Sequence, residues 1–220
     1  MSTSTLFSDE DREEIRKAVE AAEKRTSGEI VPVIVRSSAS YEIALWKGAM
    51  IGVLPGLLAN ELIFTSSDAW GATSGFAPLS APILMVLGAL LAALVVRGLP
   101  ALRRWLIPEN VLVTAVHGRA QKAFLENEVF RTRERTGILL LVSLFERRVE
   151  VLGDSGINSK VSPEDWADVV SDIVMGIKSG KATAGIVSAI ERCGSLLEKA
   201  GVAIRSDDEN ELDDSPIIED

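Results

Sequence analysis

The sequence predicts an α/β fold: a small mixed β-sheet with flanking helices, interrupted by a two-helix transmembrane hairpin. Three observations carry this expectation. "EIVPVIVR" (29–36) and "TGILLLVSLF" (136–145) read as buried strands, the second a continuous apolar run of the kind found inside parallel sheets. "RVEVLG" follows the second run and alternates, as an antiparallel partner does. Between the first two strands lie two apolar segments long enough for a bilayer.

The amino-terminal helix is signalled by Ser8 as N-cap, by Asp9, Glu10 and Asp11 at the positive end of the helix dipole, and by Ile15, Ala18, Val19 and Ala22 on one face. "TSG" at 26–28 ends it with glycine in the expected place. Pro32 suggests an edge position or a bulge for the first strand. One helix and one strand cannot bury a core, so residues 1–42 must be completed by a later part of the chain.

The stretch 76–96, "FAPLSAPILMVLGALLAALVV", has 21 residues without a charge, about 30 Å as a helix. Residues 43–64 form the other span, with Lys47 and Glu61 near its ends, where long side chains reach the interface. Trp46, Trp70 and Trp105 flank the pair as interfacial anchors. The spans are thus 43–64 and 76–97, joined by an outer loop at 65–75. Arg36, Lys47, Arg97, Arg103 and Arg104 lie on the outer flanks, whereas the loop holds only Asp68. The positive-inside rule then places both termini and the polar domain in the cytoplasm. The start, "MSTSTLFSDEDREEI", lacks the basic and apolar regions of a cleavable signal peptide.

Residues 108–204 should complete the domain. Asn110 can cap a helix with Val116, Ala120, Ala123 and Phe124 inward. Glu146 and Arg147 make a tight turn between the second and third strands. Ser162, Pro163 and Asp165 open a helix whose apolar side holds Trp166, Val169, Val170, Ile173 and Ile177. A last helix runs from about Thr183, with Ile186, Val187, Ile190 and Leu197 inward. Three strands are expected, the first two parallel through a right-handed crossover.

Net charge is −9, yet residues 206–220 carry eight acidic side chains and no Lys or Arg. Residues 205–220 are therefore expected to be a solvated, disordered tail, and nucleic acid is not an expected partner. His117 and Cys193 are each single, which excludes a multi-histidine metal site and an internal disulfide.

"TSGEIVPVIVRSS", "RAQKAFLENEVFRTRERTGILLLVSLFERRVEVLGDSGI" and "WADVVSDIVMGIKSGKATAGIVSAIERCGSLL" together resemble the TPM domain family. The similarity spans about 7–204 with the hairpin as an insertion, and Asn210-Glu211-Leu212 is similar to the closing segment of the bacterial membrane-inserted subgroup. The resemblance implies a bacterial inner-membrane, two-pass protein acting as an accessory or interaction module. The alternative it implies is an acid-phosphatase-like enzyme assisted by a divalent cation, calcium or magnesium. Asp9 is offset from the family's "D-x-A-x-x-L" box, and "GDSG" (153–156) stands where relatives have "GYG".

From the residues themselves no cofactor is expected. Asp154, Asn158 and Asp165 occupy positions one, five and twelve of a calcium loop that lacks glycine at six and a carboxylate at three. A Gly turn followed by a capped helix accounts for the same residues. The carboxyl ends of the parallel strands, with Ser37, Ser38, Glu146, Arg147 and Arg148, are the expected interaction edge. The first of these ends runs within a few residues into the first span, so the edge should face the bilayer. The expected partners are the lipid bilayer and either an anionic headgroup or a membrane protein. Two spans also leave room for a homo-oligomer.

Overall fold

A computed structural model describes residues 7–65, 77–202, 204 and 210–219. The chain divides into two compact units, Met1–Ala39 with Val113–Asp220, and Ser40–Leu112. Most of the outer loop at 65–75, including Asp68 and Trp70, lies outside the described residues, as do 205–209 of the acidic tail.

In the first unit α1 (Asp9–Glu23) begins at a capping box. Ser8 N donates to Asp11 Oδ2 at 2.8 Å, and Asp11 N donates back to Ser8 Oγ at 3.2 Å. Ile15, Ala18, Val19 and Ala22 are buried. Three strands, β1 (Glu29–Val35), β2 (Gly137–Ser143) and β3 (Arg148–Gly153), form a mixed sheet. β1 pairs parallel with β2 from Glu29↔Gly137 to Val35↔Ser143, and β2 pairs antiparallel with β3. Both β1 and β2 are buried at every position, which is why their apolar runs are continuous rather than alternating.

Apolar side chains cover both faces of the sheet. On one lie α1, α7 (Pro163–Lys178) and α8 (Ala182–Lys199), with Ile30, Ile34, Ile138 and Leu140 of the sheet. On the other, Val116, Ala120 and Ala123 of α5 (Glu109–Glu126) pack on Val31, Val33, Leu139 and Leu141. α7 and α8 cross at Gly176 and Gly185, where a Cβ on Gly176 would lie 2.6 Å from the Gly185 Cα. Ser162 and Asp165 form the expected capping box of α7. Cys193 is fully buried, and burial pushes its thiol up to about 12, so it packs rather than reacts.

Three features differ from the sequence expectation. The sheet has a fourth strand, β4 (Ile217–Glu219), which pairs parallel with β1 and gives the order β3-β2-β1-β4. The described part of the acidic tail is therefore docked, not disordered. Leu212 and Ile217 pack on the sheet, and Arg119, with only 13% of its side chain exposed, pairs with Glu219. Second, β1 is an inner strand. Pro32 is tolerated because β4 covers only Val33–Val35, leaving the proline on a stretch where no neighbour needs its missing amide. Third, the β2–β3 hairpin pairs Ser143 with Arg148, so its loop is 144–147 rather than a two-residue turn. Arg147 closes that loop in the left-handed region at φ +52.

The second unit contains α2 (Glu42–Thr65), α3 (Ala77–Gly98) and the short α4 (Pro100–Trp105). Segments Glu42–Ile63 and Leu79–Gly98 are long and apolar enough to cross a membrane. A core helix of a soluble domain would bury its leucines, whereas Leu54, Leu62, Leu91 and Leu94 are 63, 75, 65 and 65% exposed. α2 and α3 meet through small residues. Gly48, Gly52 and Gly56 recur every four positions in α2, and a Cβ on Gly52 would collide with the Gly88 carbonyl oxygen of α3. A polar bond braces the pair as well, Ser80 Oγ donating to Asn60 Oδ1 at 2.8 Å, while Lys47 Nζ of α2 donates to the Leu106 carbonyl just after α4 at 3.0 Å.

Candidate functional site

The parallel strands β1 and β2 end together, and the chain leaving each end supplies polar groups to one cluster. Glu146, from the β2–β3 loop, is completely buried. Its Oε1 accepts from the Ser38 amide at 2.9 Å and from Ser37 Oγ at 3.2 Å, while Oε2 takes a short hydrogen bond from Ser143 Oγ. Ser38 Oγ and Ser143 Oγ lie 2.8 Å apart. A buried carboxylate needs such donors, and hydrogen bonds to a charged acceptor are the stronger kind.

The structure thus brings Ser37, Ser38 and Glu146 together, as the strand-end argument expects, and adds Ser143. Glu146 is not an open recognition group: its oxygens are committed to holding the segment after β1 against the hairpin loop. Ser143 escaped the sequence reading because it closes an apolar run and resembles any strand-terminating serine. Arg147 is exposed in the same loop, and Arg148 opens β3 half-buried. The arrangement can present positive charge on a braced loop.

The calcium-loop residues have separate tasks. Asp154 is buried and caps α6 (Ser155–Asn158), its Oδ1 accepting from the Ser155 amide at 2.6 Å and its Oδ2 facing Arg135 Nε at 2.8 Å. Asn158 Nδ2 donates to the Gly153 carbonyl at 2.7 Å, while Asp165 caps α7. Asp165 is held below the usual carboxylate range by the Ser162 hydroxyl and amide. Among the described residues no group of three or more His, Cys, Asp and Glu side chains is arranged to hold a metal ion. Asp154→Ala should therefore act as loss of a cap, lowering stability by about 1–2 kcal/mol. Thermal melts with and without calcium or magnesium check this. An equal loss in both conditions is expected, and divalent-dependent phosphate release abolished by the substitution would instead favour the phosphatase alternative.

The comparisons with known proteins fit this architecture. A family model described as the TPM domain matches residues 111–196, which contain β2, β3, α6, α7 and most of α5 and α8. The match is narrower than the resemblance from about 7 to 204, since α1, β1 and the hairpin precede it. The solved NMR structure of BA42 protein from the psychrophilic bacterium Bizionia argentinensis aligns with a TM-score of 0.58 and 20% identity, covering 96% of this chain and 94% of that one. That likeness is one of fold. A search of curated proteins finds no match. Residues 111–196 thus match the TPM domain family, and the fold built around them is like that of the BA42 structure.

Proposed function

We propose that this is a two-pass inner-membrane protein whose TPM domain is a non-enzymatic interaction module at the cytoplasmic surface. In this view the loop at 144–147 engages anionic lipid headgroups or the acidic face of a membrane-protein partner. The observation that carries the proposal is the braced strand end. Glu146 fixes Ser37 and Ser38, the exposed Arg147 shares its loop, and along the chain only 36–41 separate β1 from α2. The exposed leucines of the two apolar helices support insertion in lipid. Arg97, Arg103 and Arg104 after the second helix support the cytoplasmic side.

Reversing Arg147 and Arg148 together to glutamate should remove the attraction, and because Arg148 Nε is buried a thermal melt of the variant checks that the fold persists. A juxtamembrane basic residue contributes about 1 kcal/mol of attraction to an anionic surface, so the pair should weaken the interaction roughly tenfold or more. The measurement has two arms, performed on the full chain in mild detergent or after reconstitution. Vesicles with and without anionic phospholipid test headgroups, and co-purification from the native membrane tests a protein partner. Unchanged recovery in both arms would sink the proposal.

A further inference from the structure

The docked carboxyl-terminal segment meets an unusual surface. Glu29, at the start of β1, is only 5% exposed. Its Oε1 accepts from the Glu211 amide at 3.3 Å, and the Leu212 amide also donates to this carboxyl group. Glu29 Oε2 is buried and has no hydrogen-bond partner among the described residues. Beside it Glu23, near the end of α1, accepts from the Ile30 amide at 2.8 Å, and its carboxyl group contacts that of Asp214. Glu23, Glu29 and Asp214 line one cavity of about 200 Å³. Contact with a second carboxyl group favours a proton on Glu23, and a buried carboxyl oxygen with no donor is a natural position for another.

We propose that Glu23 and Glu29 form a proton-operated latch: protonated, they hold the segment 210–219 on the β1 edge, and ionised, they release it. The other charged groups around the latch are engaged with partners of their own. On α1, Lys24 is bound to Glu20 at 2.6 Å. From the docked segment, Glu211 accepts the Arg133 amide at 3.0 Å, while Asp213 is held below the usual range by the Ser215 amide and hydroxyl, with Arg16 as a weaker contributor. Asp214 accepts from Asn210 Nδ2 at 2.6 Å. The Arg119–Glu219 pair and the burial of Leu212 and Ile217 favour docking at any pH near neutrality.

Burial pushes Glu23 up to about 9, with Glu29 and Asp214 as like charges adding to it. Burial likewise pushes Glu29 up to about 7, with Glu211 and Asp214 adding to it. When the segment detaches, both groups meet water and return toward the ordinary value of 4.5. The docked form therefore binds protons that the released form gives up. The contribution of this pair to docking is fully present below about 4.5 and is lost as pH rises through about 7 for Glu29 and about 9 for Glu23. Each proton released weakens docking about tenfold per pH unit. Release exposes the backbone of Val33–Val35 as an open sheet edge.

A nitroxide on Ser215→Cys tests the latch in the full chain, because Ser215 is exposed and the native Cys193 is buried. The spectrum should be immobilised at pH 5, with a mobile component that grows toward pH 9. Glu23→Gln with Glu29→Gln imitates the protonated pair and should stay immobilised throughout; Glu29→Gln alone should flatten the lower part of the profile. A wild-type spectrum that does not change with pH, or a folded double variant already mobile at pH 5, would overturn the proposal.

Discussion

Gly52→Leu should separate the two apolar helices. A Cβ at Gly52 meets the Gly88 carbonyl oxygen inside van der Waals contact and the Ala92 Cβ at 2.6 Å. The obstacle on the first side is backbone, so no rotamer change can relieve it. The helices must move apart, and the contacts around Gly48, Gly56 and Leu84 are lost with them. Overpacking of this kind costs about 3 kcal/mol or more, and packing of small residues is a main source of helix association in lipid. Purified variant in detergent should aggregate at markedly lower temperature than wild type. Gly98→Ala is the control: a Cβ there meets nothing within 4 Å, and its melting should be unchanged. Equal melting of Gly52→Leu and wild type would show that the close approach contributes nothing.

Glu146→Ala should be the most damaging single change in the polar domain. It removes the acceptor for the Ser38 amide, for Ser37 Oγ and for Ser143 Oγ at once, and Glu146 is fully buried. The Ser38 amide is left without its acceptor, a cost of about 1–3 kcal/mol, whereas Ser37 Oγ retains the Ala39 carbonyl and Ser143 Oγ the Ser38 hydroxyl. With the lost packing of a buried side chain, a net loss of about 2 kcal/mol is expected, or roughly 4–8 °C in melting temperature for a chain of this size. Ser143→Ala removes one donor and should cost about 1 kcal/mol. Differential scanning calorimetry of the detergent-solubilised protein checks both. A loss for Glu146→Ala no larger than that for Ser143→Ala would mean that Glu146 does not organise the strand end.

Local chemistry explains why much of the fold can be read from the sequence. Ser8 with Asp11 and Ser162 with Asp165 bond within three residues of each other, so their caps are visible in any short window. The apolar runs of β1 and β2 announce strands buried on both faces. The Glu146 cluster is different, because its partners lie 108 and 109 residues away in the chain. In sequence Glu146 looks like one charge among Arg147, Arg148 and Glu150; only the meeting of two strand ends buries it. β4 was hidden for a related reason. The composition of 206–220 predicts solvation, and the docking rests on Leu212, Ile217 and Ile218 scattered among carboxylates. Its acceptor edge also includes Glu23 and Glu29, which look like ordinary surface residues until the fold encloses them. The glycine spacing in α2 escapes a reading by hydropathy, which sees only an apolar segment.

The interrupted order of the sheet has a consequence for synthesis. β1 leaves the ribosome early, but its parallel neighbour β2 is made only after both apolar helices and α5. During that interval "EIVPVIV" is an unpaired, apolar seven-residue strand, whose open edges can pair with other chains. Pro32 cannot donate to an invading strand, and Glu29 places a charge at its start whenever the segment is in water. The same two residues that fit the finished sheet so narrowly would keep the nascent strand soluble until its partner arrives.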